Sequence, residues 1–359
     1  MSYKKFSLLS ISLFFIFIGF HIFTWYSLSE KIFGLKEKES IGDLARLSYR
    51  PDMINKKTLE YSLVRSHIYK KNFHNQNLDL ITIGDSFSYG GGFGKNPFYQ
   101  DYLASMYNIN VLNIGTKNLS EYLETIASLH NTNFFLQHKT KYLLFETVVR
   151  LSNGRIARKI NWDKKTKTIL RIKPDKPYHQ DLNIISTANY KIFYYYILHH
   201  LFHKNFSNGI YKFSLTKNLF TPVPNEMLIY YSDIETAPTY TSTSIALMNK
   251  NLNKLAKILK KDGITLIFMP VVDKYDLYYN YIKNNHYPKN NFFQLFKDVK
   301  KNYIYIDTKS ILLPLVQKGE KDIFYLDDTH WNYKASEAIS SSKIFKHLFQ
   351  HEKVEQNAL

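Results

Sequence analysis

Ile83-Gly84-Asp85-Ser86-Phe87-Ser88 closes an apolar run, and Asp327-Asp328-Thr329-His330-Trp331-Asn332 lies near the other end of the chain. Together they offer a hydroxyl nucleophile, an imidazole base and a carboxylate to orient it. Such a triad is defined by geometry and roles rather than residue order, so the pattern is a statement about distance. The chain between must bring Ser86 beside His330. A neutral imidazole can take the serine proton and later return it to a leaving group, and a carboxylate fixes its tautomer. Asp328 and Asp327 stand two and three residues before His330, so either could fold back onto the ring. The second cluster also reads as an N-cap pair opening a helix from about Ala335, and both readings can hold at once. Zinc on His330 and the two Asp is the remaining option. The chain offers no H-E-x-x-H spacing, and no metal or other cofactor is expected.

The first cluster carries its own turn chemistry. Gly84 permits a tight turn, and Gly90, Gly91, Gly92 and Gly94 let the backbone approach a ligand closely. A serine just after a strand, beside free backbone N–H groups, is suited to attack a carbonyl and hold the developing oxyanion. The alternative is a glycine-rich turn without catalysis. A phosphate loop is disfavoured: Asn96 follows Gly94-Lys95 where G-x-x-x-x-G-K-[ST] needs Lys then Ser or Thr.

Positioning these groups falls to short apolar runs that alternate with helical patterns. Leu78–Ile83, Asn110–Ile114, Tyr142–Glu146, Ile264–Met269 and Tyr303–Ile306 read as buried parallel strands. Helices are predicted over Phe98–Tyr107, Glu121–Leu136 with Ser120 as N-cap, Ile245–Lys261 and Ala335–Leu348. The stripe of the third is Leu247, Leu252, Leu255, Ile258 and Leu259. This alternation predicts an α/β fold, doubly wound on a mostly parallel sheet. Residues 151–240 break the rhythm with a basic stretch, a strand at Thr166–Ile172 and the aromatic run Tyr190–Phe202, and read as an insertion shaping a groove or lid. His199, His200 and His203 in that run could ligate a metal. Among so many Tyr, Phe and Leu, the favoured reading is a helix packed on the core or resting on a membrane surface.

Phe6–Tyr26 has no Asp, Glu, Lys or Arg and is long enough to cross about 30 Å of hydrocarbon. Lys4 and Lys5 before it favour a cytoplasmic N-terminus. Its Phe-Thr-Trp-Tyr end lacks the small residues of a cleavage site, so an uncleaved anchor is expected. The predicted organisation is an anchor over 1–27, a stalk over 28–72, a catalytic domain over 73–350 and a tail over 351–359. The net charge of +18 favours anionic partners, either lipid headgroups or acidic glycan. Nucleic acid is not expected, because the Lys residues are scattered and no zinc spacing or basic helix stands out. The 29 Tyr and 26 Phe fit a codon-biased genome, with aromatic platforms for sugars as the sharper option. The absence of Cys removes thiolate catalysis and disulfides.

G-D-S-F after a first strand and D-T-H-W before a C-terminal helix resemble the SGNH (GDSL-like) hydrolase superfamily, over roughly residues 75–350. The D-x-H-W form is similar to its branch of membrane-anchored alginate and envelope polysaccharide O-acetyltransferases. In the alginate proteins D-x-H-W precedes G-D-S-F, whereas here serine comes first. The resemblance implies a three-layer, flavodoxin-like fold, with Ser86 as nucleophile and His330 as base. Asp328 matches D-x-H-W, and Asp327 matches the D-x-x-H spacing of the wider superfamily. Asn113-Ile114-Gly115 looks like the glycine block, whose Gly115 N–H would join that of Ser86 in an oxyanion hole. The G-x-N-D block is replaced by Phe145-Glu146-Thr147-Val148-Val149-Arg150. The branch often carries Glu and Arg there, which puts Glu146 and Arg150 near the site; a structural ion pair is the alternative. Pro270, Lys274 and Tyr278 loosely resemble a Pro/Lys/Tyr stretch of that branch and would place Lys274 near the groove, although taken alone it reads as a surface lysine. Asp85, Asn113 and Trp331 complete the candidate substrate-site residues. The implied activity is O-acetylation of an envelope polysaccharide or peptidoglycan through an acetyl-serine, with the acetyl group delivered by a polytopic membrane acyltransferase. The location implied is the outer side of the cytoplasmic membrane. An O-acetyl esterase with the same triad, or a degenerate glycan-binding scaffold, are the alternatives.

Overall fold

The computed structural model describes residues 2–69, 72–74, 76–114, 121–165 and 183–356. The predicted strand at Thr166–Ile172, the Ser120 cap and Gly115 lie outside them.

The strands are β1 Glu39–Ser40, β2 Lys57–Thr58, β3 Ile68–Tyr69, β4 Leu80–Ile83, β5 Val111–Ile114, β6 Tyr142–Val148, β7 Phe206–Ser207, β8 Ile210–Ser214, β9 Glu226–Tyr230, β10 Thr265–Val271 and β11 Ile304–Tyr305. Six of them form one parallel sheet in the order β11-β10-β6-β4-β5-β3. β4 and β5 are buried along their whole length, and β6 and β10 at every residue but the first. Helices cover both faces of such a sheet, which is why these runs are apolar throughout instead of alternating.

The helices are α1 Tyr3–Thr24, α2 Glu30–Phe33, α3 Asp43–Leu47, α4 Tyr99–Tyr107, α5 Tyr122–Asn131, α6 Phe134–Gln137, α7 Val149–Ile156, α8 Thr187–His200, α9 Tyr231–Glu235, α10 Ser242–Lys260, α11 Lys274–Tyr278, α12 Phe292–Lys297, α13 Thr308–Gln317, α14 Tyr333–Ser340 and α15 Lys343–Gln356. From β4 the chain steps one way through α4 to β5, then returns through α5 to β6 on the other side of β4. Right-handed crossovers in opposite directions place α4 and α5 on opposite faces. The point of reversal is the carboxyl end of β4, where open α/β sheets form their ligand crevice.

Several expectations are corrected in detail. The helix expected over Glu121–Leu136 breaks where Asn133 takes positive φ, and the one over Ala335–Leu348 is α14 followed by α15. On α10, Ile245, Met248, Leu252, Leu255 and Leu259 are buried while Leu247 is exposed, so the apolar face is rotated from the predicted stripe. Each buried side chain of this size contributes about 1.5–3 kcal/mol. Residues 28–72 are not a stalk. Leu44, Ala45 and Met53 sit in the main core, and β1 pairs with β2. The insertion contains α8 and a small antiparallel sheet, β7-β8-β9, whose Leu228 N–H donates to Leu326 O at 3.2 Å. α15 continues past residue 350 to Gln356.

α1 runs on through a π-helical turn at Trp25–Ser29 into α2, and only His21 and Thr24 of α1 are buried. It is long and apolar enough to span a membrane.

Candidate active site

Ser86 sits in the turn that leaves β4, held by backbone bonds that close on its own carbonyl: Tyr89 N–H donates at 3.1 Å and Gly91 N–H at 2.8 Å. Beneath it lies a buried polar network. Glu146 Oε2 accepts from Asp85 N–H at 3.0 Å and from Ser88 Oγ at 2.8 Å. A Cβ on Gly84 would stand 2.2 Å from both Glu146 Oε2 and Ser88 Oγ, so glycine is sterically required there. Asp85 points away from the surface. Its carboxylate accepts from Phe87 N–H at 3.2 Å and Val148 N–H at 2.9 Å, and pairs with Arg155. Asn113 donates to Ser88 O at 2.6 Å and accepts from Thr82 Oγ1. Asp85, Asn113 and Glu146 thus brace the turn from below. Burial raises the Glu146 carboxyl well above its usual range, and the Asp85 charge adds to it. Burial also works against the ionised Asp85, but Arg155 and the Val148 N–H together outweigh it and hold that carboxyl low.

The second cluster arrives on the loop between α13 and α14. Asn332 caps α14 by accepting from Lys334 N–H, which leaves both aspartates for other work. His330 Nε2 lies 2.7 Å from Ser86 Oγ, and His330 Nδ1 lies 2.6 Å from Asp328 Oδ1. With Nδ1–H donating to Asp328, Nε2 is left to accept the serine proton. Asp327 faces the other way: its Oδ2 accepts from Gly42 N–H at 2.7 Å and Asn55 N–H at 2.9 Å. The geometry therefore gives Asp328, and not Asp327, the place beside the imidazole.

Lys274 is buried. Its Nζ donates to the carbonyls of Tyr325 and Leu326, each at 2.7 Å, and of Asp328 at 3.2 Å. Burial pushes its ammonium down to about 7, against the pull of Asp327 and Asp328. Trp331 packs on Phe87 with centroids 4.9 Å apart, and Phe87 lies against the His330 ring at 4.7 Å. Gly91 passes so close to that ring that a Cβ would stand 2.4 Å from His330 Nε2. Arg150 pairs with Asp233 at 3.2 Å and Asp273 at 3.4 Å, forming a buried ionic cluster.

Sequence reasoning missed the contribution of residues 42–57. Lys57 Nζ lies 3.0 Å from Asp328 Oδ2 and 4.1 Å from the Tyr325 ring centroid. Asp43 Oδ1 accepts from Thr329 N–H at 2.9 Å. Burial opposes the charge on Asp328, but Lys57 and then His330 outweigh it and hold the carboxyl well below its usual range. For His330 burial again opposes charge, and Asp328 raises the ring above its usual value. Burial and the Asp328 charge push Asp43 up to about 6. No local signal marks Lys57 or Asp43, because their partners are about 270–290 residues away in sequence.

Ligand atoms of Asp43, Asp328 and His330 all fall within 4.8 Å of one another. Both His330 ring nitrogens are already engaged, on Asp328 and Ser86, so this donor set suits proton transfer better than metal ligation. Comparison with protein-family models and with curated proteins finds no match.

Proposed function

We propose that this chain is a membrane-anchored serine acyltransferase of SGNH type that O-acetylates an envelope polysaccharide or peptidoglycan. The observation that carries the reading is the unbroken line Ser86 Oγ–His330 Nε2, 2.7 Å, and His330 Nδ1–Asp328 Oδ1, 2.6 Å, at the reversal point of a parallel sheet. His330 takes the Ser86 proton as Oγ attacks the donor's acetyl carbonyl. The tetrahedral intermediate collapses, the donor's leaving group departs with that proton, and acetyl-Ser86 remains. His330 then deprotonates a sugar hydroxyl, whose oxygen attacks the acetyl carbon; Ser86 leaves and recovers a proton. α1 would hold the domain at the outer face of the cytoplasmic membrane, where a polytopic acyltransferase could supply acetyl groups.

An acceptor assay tests transfer. With an activated acetyl ester as donor, added glycan should accelerate acetyl release and yield an acetylated glycan by mass spectrometry. Release that ignores the glycan and gives only acetate would make the chain an esterase instead.

A further inference from the structure

The aromatic run that the chemistry leaves unused forms α8, and α8 is pinned across the far end of α1. Asn189 is the pin: its Nδ2 lies 2.9 Å from His21 Nδ1, and its Oδ1 accepts from Ser29 Oγ at 2.7 Å. Tyr190 stacks on Phe20 with centroids 5.0 Å apart, and Phe193 meets the same ring edge-on at 5.3 Å. Asn189, Ile192 and His199 face the protein. On the opposite side Tyr190, Tyr194 and Leu201 recur at helical spacing and are 49%, 58% and 70% exposed, with Phe202 beside them. A soluble surface helix carries polar residues on that side. Phe23 and Tyr26, at the end of the adjoining helix, are exposed as well. Tyr190 and Tyr194, beside a membrane-length helix, are of the residue type that gathers at membrane boundaries.

A cleft of about 300 Å3 opens between the end of α1, the π-helical turn and α8. Phe23, Leu28, Phe193 and Tyr196 give it apolar walls, and Lys31 and His200 add N–H donors. The one carboxylate lining it, Asp52, is gripped by both Arg50 Nε and Nη2. Lys31 has no ion-pair partner among the described residues. An apolar cleft with a spare cation, beside a membrane-length helix, matches a phosphate carried on glycerol and acyl carbons.

We propose that this cleft binds the headgroup of an anionic phospholipid from the bilayer that α1 crosses, with the Tyr190–Tyr194–Leu201 stripe lying in the interface. The inference rests on reading α1 as a membrane span and is independent of the acyl-transfer reading. It is tested on the full-length protein in detergent, titrated with phosphatidylglycerol or phosphatidylcholine, with bound lipid counted by native mass spectrometry. Wild type should retain phosphatidylglycerol preferentially. One headgroup-facing cation contributes about 1 kcal/mol, so Lys31→Gln with His200→Gln should lower that preference about fivefold or more. Lys257→Gln with Lys260→Gln, distant on α10, should leave it intact. Inorganic phosphate at equal concentration should not displace the lipid. Equal retention of both lipids, a preference that survives Lys31→Gln with His200→Gln, or displacement by phosphate would overturn the proposal. The chain lacks cysteine, so a nitroxide on Tyr194→Cys gives a second reading in phosphatidylglycerol liposomes. The label should show higher accessibility to oxygen than to a water-soluble nickel complex, and the reverse would count equally against the stripe.

Discussion

Asp328 is gripped from both sides, by His330 on one oxygen and Lys57 on the other. Its depressed carboxyl stays ionised across the working range, so on the proposed mechanism the acid limb of activity belongs to His330. That ring is raised by Asp328, and its neutral form would be the base. Activity should therefore rise with pH through a midpoint above about 6.5, the ordinary histidine value. Asp328→Asn should move that limb to lower pH and reduce kcat by roughly 10⁴-fold, as a wrong tautomer does in triads of this kind. Asp327→Asn should leave the limb in place and lower thermal stability instead, because Asp327 binds Gly42 and Asn55 rather than His330. Comparison of the two pH–rate profiles separates the aspartates. At Gly91 an added methyl would press on the His330 ring. Gly91→Ala should fold and lose at least about 10² in kcat, the cost of displacing a catalytic group by about 1 Å.

At the scale of elements, β4, β5, β6 and β10 were legible because both faces of each are buried and their sequences are apolar without alternation. The two motifs were legible because each turn is local: Gly84 and Gly91 give the Ser86 turn, and Asp328 lies within two residues of His330. The role of Glu146 was not, since its neighbours Asp85 and Ser88 come from another strand end. Burial raises its carboxyl, so the folded state holds a proton there that the unfolded chain releases above about pH 4.5. Stability from this group is fully present below that pH and declines as pH rises toward the folded value. Glu146→Gln keeps the shape without the charge. It should be no less stable at neutral pH and should flatten the pH dependence, as denaturant melts between pH 5 and 8 would show. Glu146→Ala should cost about 2–4 kcal/mol, from the buried cavity and the unpaired Asp85 N–H, since Ser88 keeps its bond to the Tyr99 hydroxyl.

Across the whole molecule, the segment between α1 and the sheet is a strap that closes over the back of the site. Gly42, Asn55 and Lys57 reach Asp327 and Asp328, while Leu44 and Ala45 N–H donate to Asp327 O. Its structure comes from partners far along the chain, which is why residues 28–72 looked patternless in sequence. Nothing in the local spacing of Lys57 distinguishes it from the many other lysines. The strap links α1 to the Ser86–His330–Asp328 line, so its perturbation should be felt as both stability and activity. A Cβ at Gly42 would stand 1.9 Å from Asp327 O. Gly42→Ala should lower the melting temperature and slow Ser86 chemistry together, whereas Gly154→Ala, inside α7 where a Cβ meets nothing within 4 Å, should lower neither.

In the proposed function Ser86 is an activated nucleophile. Its most direct measurement is labelling of the full-length protein by a serine-reactive fluorophosphonate, with the adduct mapped by peptide mass spectrometry. Stoichiometric labelling is expected at Ser86 in wild type, none in Ser86→Ala, and labelling slowed by orders of magnitude in His330→Gln. An unlabelled wild type, or equal labelling of wild type and Ser86→Ala, would contradict it and leave a binding scaffold in its place.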